Sequence, residues 1–440
     1  MSGERLRRIL GLALPIMAGM VSQNVFNLVD TAMVGTLGNT ALAAVGLGGF
    51  TAFTCQALIM GVSTGVQATS ARRKGEGREA EMAHPLNAGL LLSLIVGLLL
   101  TALLVPLLPR VFPLLTHDPA VAASGSAYVE LRILATTFIA MNFSFRGYFN
   151  AVDRPRLYMA TLMSMHAMNI VLNYALIFGN LGAPALGVRG AGLATALAQA
   201  FGTGIYMMLG WRHARANGFL AGLPTVAEIR ALARLSLPAG VQQLFFAAGY
   251  TVLYWIIGQV GTGELAAANV LINLMLVAYL PAMGFGLSAA SLVGQALGRK
   301  NPDDALRWGW DVVKVAIGTL VVLSLPMWTM PGLLLGAFIH DPATLALAQW
   351  PMRVAGALIP IEGVSMVLMM ALQGAGATRT TMTVSVLTQW LIFLPLAYLI
   401  GPGLGFGLLA IWLVQGGYRF LSAFIYAGLW ARGRWSVIKV

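Results

Sequence analysis

The sequence predicts an all-α integral membrane protein, with twelve transmembrane helices in two pseudo-symmetric six-helix lobes around a central cleft. Three observations carry this reading. The 440 residues are 58% hydrophobic and only 10% charged, with a mean hydropathy of +0.80, well outside the range of soluble domains. Apolar runs of about 20 residues recur, such as AGLLLSLIVGLLLTALLVPLL at 88–108 and VVKVAIGTLVVLSLPMWTMPGLLL at 312–335, each long enough to cross a hydrocarbon core as a helix. The third observation is an internal repeat at one fixed offset. Porin-like barrels are excluded, because their strands alternate in hydropathy and are about half as long.

In chain order the spans fall at 9–35, 41–68, 86–108, 125–150, 157–179, 188–210, 234–258, 264–292, 312–336, 350–374, 382–401 and 405–430. Helix breakers separate them: PRVFP, FGNLGAP, GQVGTG, KNPDD, HDPAT, GAGATRT and GPGLG. The first span follows a basic start, as in a signal peptide, but it is too long and lacks a small-residue cleavage site, so a retained helix is expected. The longest polar connection, WRHARANGFLAGLPTVAEIRALAR, divides the chain into an amino-terminal lobe at 1–210, a cytoplasmic linker at 211–233 and a carboxy-terminal lobe at 234–440.

The halves repeat each other at a spacing of 223 residues: LALP at 12–15 with LSLP at 235–238, VGTLGNTALAA at 34–44 with IGQVGTGELAA at 257–267, and THDPA at 116–120 with IHDPA at 339–343. Six spans per half give both repeats the same membrane orientation, an architecture of alternating-access transporters. The HDP pairs carry no chemistry here. Asp118 and Asp341 read as helix N-caps, with Pro119 and Pro342 in the first helical position.

Charge sets the orientation. The net charge is +12, but the basic residues sit in alternate loops, including Arg5, Arg7 and Arg8, then Arg72, Arg73, Lys74 and Arg78, and finally Arg432, Arg434 and Lys439. That distribution argues against a nucleic-acid partner. By the positive-inside rule it predicts a multi-pass protein of the plasma (inner) membrane with both termini cytoplasmic. The single cysteine, Cys55, permits neither an intramolecular disulfide nor a cysteine metal cluster. Five histidines, no HExxH and no paired intramembrane aspartates argue against an enzyme.

Thirteen of the fifteen acidic residues fall in loops or at helix ends, leaving Asp30 and Glu362 well inside spans. An intramembrane carboxylate is expensive and usually faces a bundle interior, where it works. Asp30 shares a stripe of the first span with Gln23 and Asn27, while His166, Asn169 and Asn173 share one in the fifth span and Thr195, Gln199 and Thr203 one in the sixth. Counted from the span ends, Asp30, Asn173 and Thr195 lie ~8–12 Å below the outer boundary, so they can meet at one level. One carboxylate among neutral amide and hydroxyl oxygens suits either a monovalent hard cation or a carboxylic acid that shares its proton.

The second half differs. At the fixed offset Leu253 stands where Asp30 does, so the acidic site is not duplicated. Gln243, Tyr250 and Tyr254 form a stripe, Asn269 pairs with Asn273 and Gln415 with Arg419, and Glu362 has Ser365, Met366 and Met369 on its face. Arg419 is read as the one basic residue well inside the membrane. Gln23, Asn27, His166, Gln199, Gln243, Tyr250, Asn273, Glu362, Met366, Met369 and Arg419 are therefore the expected lining of a substrate cleft, the methionines offering adaptable apolar contacts.

The stretches LVDTAMVGTLGNTALAAVGLG, NIVLNYALIFGNLGAPALGVRGAGLATA and LQGAGATRT resemble the multidrug and toxic compound extrusion (MATE) transporters over essentially the whole chain. The resemblance implies antiport: Na⁺ or H⁺ moves in, and amphipathic, often cationic organic compounds move out. The expected partners are small organic substrates, the coupling cation and the lipid bilayer, with no cofactor other than the coupling ion, and a monomer is expected. It carries the family's amino-terminal cation site onto Asp30, Asn169, Asn173, Thr195 and Ala191, where Na⁺ is one expected occupant. Departures are visible: some members have aspartate where Asn173 stands, no acid lies near Gln243 to Phe246, and Ala377 replaces a frequent aspartate. The alternative within the same superfamily is a flippase for a lipid-linked precursor.

Overall fold

The computed structural model describes residues 2–116, 118–339 and 341–438; Lys439, counted above with the cytoplasmic charges, lies outside them. No strand occurs among the described residues. The first half consists of α1 (Gly3–Gly35), α2 (Asn39–Gln56), α3 (Gly61–Gly75), α4 (His84–Leu104), α5 (Leu108–Val111), α6 (Pro119–Leu134), α7 (Thr136–Ala151), α8 (Pro155–Phe178) and α9 (Gly187–Ala214). The second consists of α10 (Val226–Val260), α11 (Thr262–Gly298), α12 (Pro302–Thr329), α13 (Pro331–Gly336), α14 (Pro342–Gly374), α15 (Thr378–Leu387), α16 (Leu394–Tyr398) and α17 (Gly407–Ala431).

Among the described residues, eleven helical stretches are long and apolar enough to cross a membrane. The remaining expected span, 125–150, is formed by α6 and α7, each of 16 residues. Their junction at Ala135 keeps its backbone bonds, Ala135 N–H to the Leu131 carbonyl at 3.3 Å and Ile139 N–H to the Ala135 carbonyl at 3.0 Å. The eleventh span is the least regular. Two π-helical turns, Thr388–Phe393 and Leu399–Gly403, bracket α16. Pro395 and Pro402 lack the N–H that an α-helix needs and crowd the carbonyl four residues back, which a widened turn relieves.

Helix starts follow side-chain chemistry. Asp118 accepts from the N–H groups of Ala120 and Val121 at 2.8 and 3.3 Å, and Asp341 accepts from the N–H and hydroxyl of Thr344 at 2.8 and 2.6 Å. These hydrogen bonds, the Thr344 hydroxyl first, hold the Asp341 carboxyl below its ordinary pKa. Both aspartates are thus N-caps followed by proline, as the repeated motif predicts. The connection expected at 211–233 is shorter than its polarity suggests. α9 continues to Ala214 and α10 begins at Val226, because Thr225 and Glu228 form a capping box: the Glu228 N–H donates to Thr225 Oγ1 at 3.2 Å and the Thr225 N–H to Glu228 Oε2 at 3.0 Å.

The chain packs as two compact units, one of Ala18–Gly240 and one of Met1–Met17 with Val241–Val440. Their edges differ from the lobes expected at 1–210 and 234–440 because the first helix of each half is shared out. In the carboxy-terminal unit, Ile9, Leu12, Ala13 and Met17 of α1 pack with Phe285, Ala289, Leu292 and Val293 of α11. Arg5 fixes the start of this segment: its Nη1 donates to Asp304 at 2.7 Å and its Nε to Asp311 at 2.6 Å, and the guanidinium stacks on Trp308 at 3.7 Å. In the amino-terminal unit, the start of α10 is held by Arg73 and His84 on Glu228, both at 3.4 Å. Gly61 of α3 and Gly240 of α10 let the two backbones touch, since a Cβ on Gly61 would collide with the Ser236 carbonyl and the backbone of Gly240.

That approach is backbone against backbone, so no side-chain rotation relieves it. Gly61→Val is expected to destabilise the purified protein by about 1–3 kcal/mol, read as a lower thermal unfolding midpoint in detergent; an unchanged midpoint would show that the helices separate freely.

Candidate functional site

Asp30 lies on the last turns of α1, within the amino-terminal unit. Two helices supply its partners. α8 and α9 come together at glycines: Gly190 faces the Leu176 carbonyl and Gly202 faces the Met165 side chain, where a Cβ would collide. This close packing brings one face of α8, with Asn169 and Asn173 a turn apart, against Thr195 of α9.

The geometry is compact. Asn173 Nδ2 donates to Asp30 Oδ1 at 2.7 Å. The Asn169 amide makes its best bonds with its nitrogen toward the carboxylate, donating to Oδ1 at 2.7 Å and Oδ2 at 3.0 Å while its oxygen accepts from the Thr195 N–H at 3.3 Å. Amide orientation is an assignment from the surrounding bonds. In the reversed orientation the oxygen faces Asp30 and the nitrogen lies 3.4 Å from Thr195 Oγ1. Thr195 Oγ1 donates to the Ala191 carbonyl at 3.0 Å. Asp30, Asn169, Asn173, Thr195 and the Ala191 backbone therefore form one cluster. Asn173 is 1% exposed and its Oδ1 has no partner among the described residues, so the cluster holds an oxygen still able to coordinate.

Several neighbours were not foreseen. Arg132 of α6 is the cation within electrostatic reach of Asp30; it donates to the Tyr128 hydroxyl at 2.9 Å. Arg146 of α7 is a second cation in the same span, bonded to Ser63 at 3.1 Å and lying over Phe143. Arg419, expected as the one basic residue well inside the membrane, thus shares the expected spans with Arg132 and Arg146. Counting basic residues by loops passed over both arginines of the fourth span, although each stands plainly in its sequence. Phe26 is another neighbour, stacked on His166 with centroids 4.5 Å apart, and the buried His166 Nε2 has no partner among the described residues.

The other expected cleft residues separate. Gln23 donates to Asn27 along α1 at 3.4 Å. Gln199 accepts from Asn142 of α7 at 2.9 Å, a bond internal to the amino-terminal unit that ties α7 to α9. In the carboxy-terminal unit Asn273 bonds to its neighbour Asn269 on an exposed face. Gln243 is half-buried; it is Gln242 that enters a core network, donating to Met369 Sδ and Ser385 Oγ at 2.9 Å and accepting from Gln373 at 3.1 Å. Met369 is thereby committed to packing, and Met366 is buried. Glu362 is bonded to Arg419 across α14 and α17 at 2.7 Å. These two, with Tyr250, line a cavity inside the carboxy-terminal unit. Leu253, at the position equivalent to Asp30, is 2% exposed.

Comparison with known proteins agrees with this architecture. The profile of the MatE family matches residues 15–175 and again 238–399, the two passes starting at the same spacing as the repeated motifs. The probable multidrug resistance protein NorM of Thermotoga maritima is 27% identical over 421 residues, covering 92% of this chain and 88% of its own. The protein of that name from Pseudomonas aeruginosa is 30% identical over 423 residues, covering 92% and 85%. Among solved structures, the outward-facing conformation of a multidrug resistance MATE family transporter of the MOP superfamily superposes with a TM-score of 0.89 at 21% identity, over 99% of this chain and 97% of the other. A MOP superfamily transporter from Pyrococcus furiosus gives 0.88 at 20% identity, over 98% and 96%.

A repeated bundle of membrane-length helices, with a carboxylate held by amides inside one span, defines a multi-pass membrane transporter. The chain belongs to the MATE family.

The Asp30–Asn173 bond can be isolated by a double-mutant cycle. Asp30→Asn and Asn173→Ala are each expected to shift the thermal midpoint, with a coupling of about 1–3 kcal/mol between them. Strictly additive shifts would mean that the two side chains do not support each other.

Proposed function

We propose that the protein is an efflux antiporter that exports amphipathic organic compounds, and that the Asp30 cluster couples this export to inward movement of Na⁺ or H⁺. The names of the NorM relatives support drug efflux as the activity. The observation that carries the coupling role is the set of oxygens around Asp30: two carboxylate oxygens, the amide oxygens of Asn169 and Asn173, Thr195 Oγ1 and the Ala191 carbonyl. The orphan Asn173 Oδ1 is the atom a cation would engage first.

The Asn169 amide supplies a means of reading the ion. Facing a bare carboxylate, it presents its nitrogen. A proton on Asp30, or a cation beside it, favours the oxygen instead, and the amide nitrogen then turns to Thr195. Binding thereby changes what α1 is bonded to on α8 and α9, which biases the helix between two packings as alternating access requires. The basic loops support a plasma (inner) membrane setting with cytoplasmic termini, and the chain acts as a monomer in this reading. The flippase alternative is not favoured: the relatives are named as multidrug resistance proteins, and Arg419 is paired with Glu362.

The test is efflux of a fluorescent organic cation from proteoliposomes under imposed Na⁺ or pH gradients. Asp30→Asn should abolish gradient-driven efflux, and Thr195→Val should weaken it, while both proteins still insert and purify as monodisperse species. Wild-type rates in Asp30→Asn would remove the cluster from the coupling step, and the gradient that drives the unmodified protein names the ion.

A further inference from the structure

We propose that the pair of helices α8 and α9 binds an anionic phospholipid, its phosphate held among Arg154, Arg156, Arg212 and Arg215 and its acyl chains lying along the apolar outer faces of the two helices.

Both helices are long and apolar enough to cross a membrane, and the start of α8 touches the end of α9. Arg154 Nη1 donates to the His213 carbonyl, and the Tyr206 hydroxyl to the Tyr158 carbonyl, each at 3.3 Å. On α9 the exposed residues Leu197, Phe201, Gly204, Met208 and Trp211 recur at intervals of three or four, so they share one stripe. Within the next turn that stripe changes from apolar to basic, because Arg212 and Arg215 are also exposed. Trp211 is 57% exposed, and an exposed tryptophan at such a border marks the level of the membrane interface. The Arg215 guanidinium lies over the Trp211 ring at 4.3 Å, and its Nη1 donates to the carbonyls of Phe219 and Leu220 at 3.1 and 3.3 Å. It is thereby fixed at the edge of the apolar stripe. α8 has the same order read from its other end: exposed Arg154 and Arg156 come first, and exposed Met163, Val171 and Tyr174 follow on the stripe of Arg156.

The charge of this rim is unopposed. Other basic residues on the same side of the unit are spent on acids: Arg73 meets Glu228 at 3.4 Å, Lys74 meets Asp153 at 2.7 Å, and Arg78 meets Glu76 and Glu81. Asp153, next to the rim in sequence, is therefore already engaged. Arg154, Arg156, Arg212 and Arg215 form no ion pair among the described residues. Two of them do not serve their helix either, since the macrodipole opposes a cation at the start of α8. Four guanidiniums bordering an apolar, membrane-facing surface fit a phosphodiester headgroup that carries acyl chains. A free phosphate satisfies the arginines and leaves the stripes uncovered. A zwitterionic lipid brings a quaternary ammonium among four like charges.

The full-length protein in a neutral detergent can be titrated with pyrene-labelled phosphatidylglycerol, with energy transfer from its tryptophans reporting binding, and with the same label on phosphatidylcholine. The anionic lipid should bind about tenfold more tightly. Arg156→Gln combined with Arg212→Gln, two side chains with no hydrogen bond among the described residues, should remove most of that preference while the thermal midpoint stays where it was. Arg432→Gln combined with Arg434→Gln takes the same charge from the carboxy-terminal end of the chain and should leave the preference intact. Glycerol phosphate at the concentration of the lipid should not displace the probe. The proposal is overturned by a preference that survives loss of Arg156 and Arg212, by one that falls equally on loss of Arg432 and Arg434, which would show bulk charge at work, or by displacement with glycerol phosphate, which would show a bare phosphate site.

Discussion

The first helix of each half is shared between two units, and much else depends on that sharing. α1 is a single helix of 33 residues. Its opening turns are fixed in the carboxy-terminal unit by Arg5 on Asp304 and Asp311, with Trp308 beneath the guanidinium. Thirteen residues beyond Met17, the same helix carries Asp30, whose partners lie on α8 and α9. A change in the bonding of Asp30 is therefore a change in a helix anchored elsewhere. Pro15 and Pro238 interrupt the backbone ladders of α1 and α10 close to where each helix passes from one unit to the other. These are the places in the two rods where bending is least opposed by hydrogen bonds.

The two halves have diverged around this common frame. The amino-terminal half keeps an acid and surrounds it with amides. The carboxy-terminal half places Leu253 at the equivalent position and keeps its acid on α14, already paired with an arginine. A carboxylate whose partners are neutral can take up a cation or proton at little structural loss. One locked to a guanidinium must first give up a strong, charge-assisted bond. Equivalent scaffolds thus hold chemically different groups.

Much of this was legible in the residues. The 3.6-residue period places Asn169 and Asn173 on one stripe, depth counting brings Thr195 to the level of Asp30, and the resemblance to MATE transporters adds Ala191. The repeated HDP motif reads directly as a pair of N-caps. Other features were hidden for physical reasons. Gln242 and Gln243 differ by a rotation of about 100° on the helix, and only packing decides which enters the core. Glu362 and Arg419 are separately conspicuous, but nothing local says that α14 and α17 are neighbours. Arg132 and Arg146 were visible and simply discounted within an apolar span. The division of α1 at Met17 leaves no trace in the hydropathy pattern, because Ile9, Leu12, Ala13 and Met17 are as apolar as the rest of the helix.

The clamp on Arg5 has a consequence for biosynthesis. The segment that ends at Met17 is made long before the residues that bury it, Phe285 to Val293 on α11 and Asp304 to Asp311 on α12, which follow nearly 300 positions later. At ordinary elongation rates that interval is on the order of tens of seconds. Throughout it, Arg5, Arg8 and an apolar half-helix wait without their final partners, so the packing of the first helix is completed only once α11 and α12 have been made.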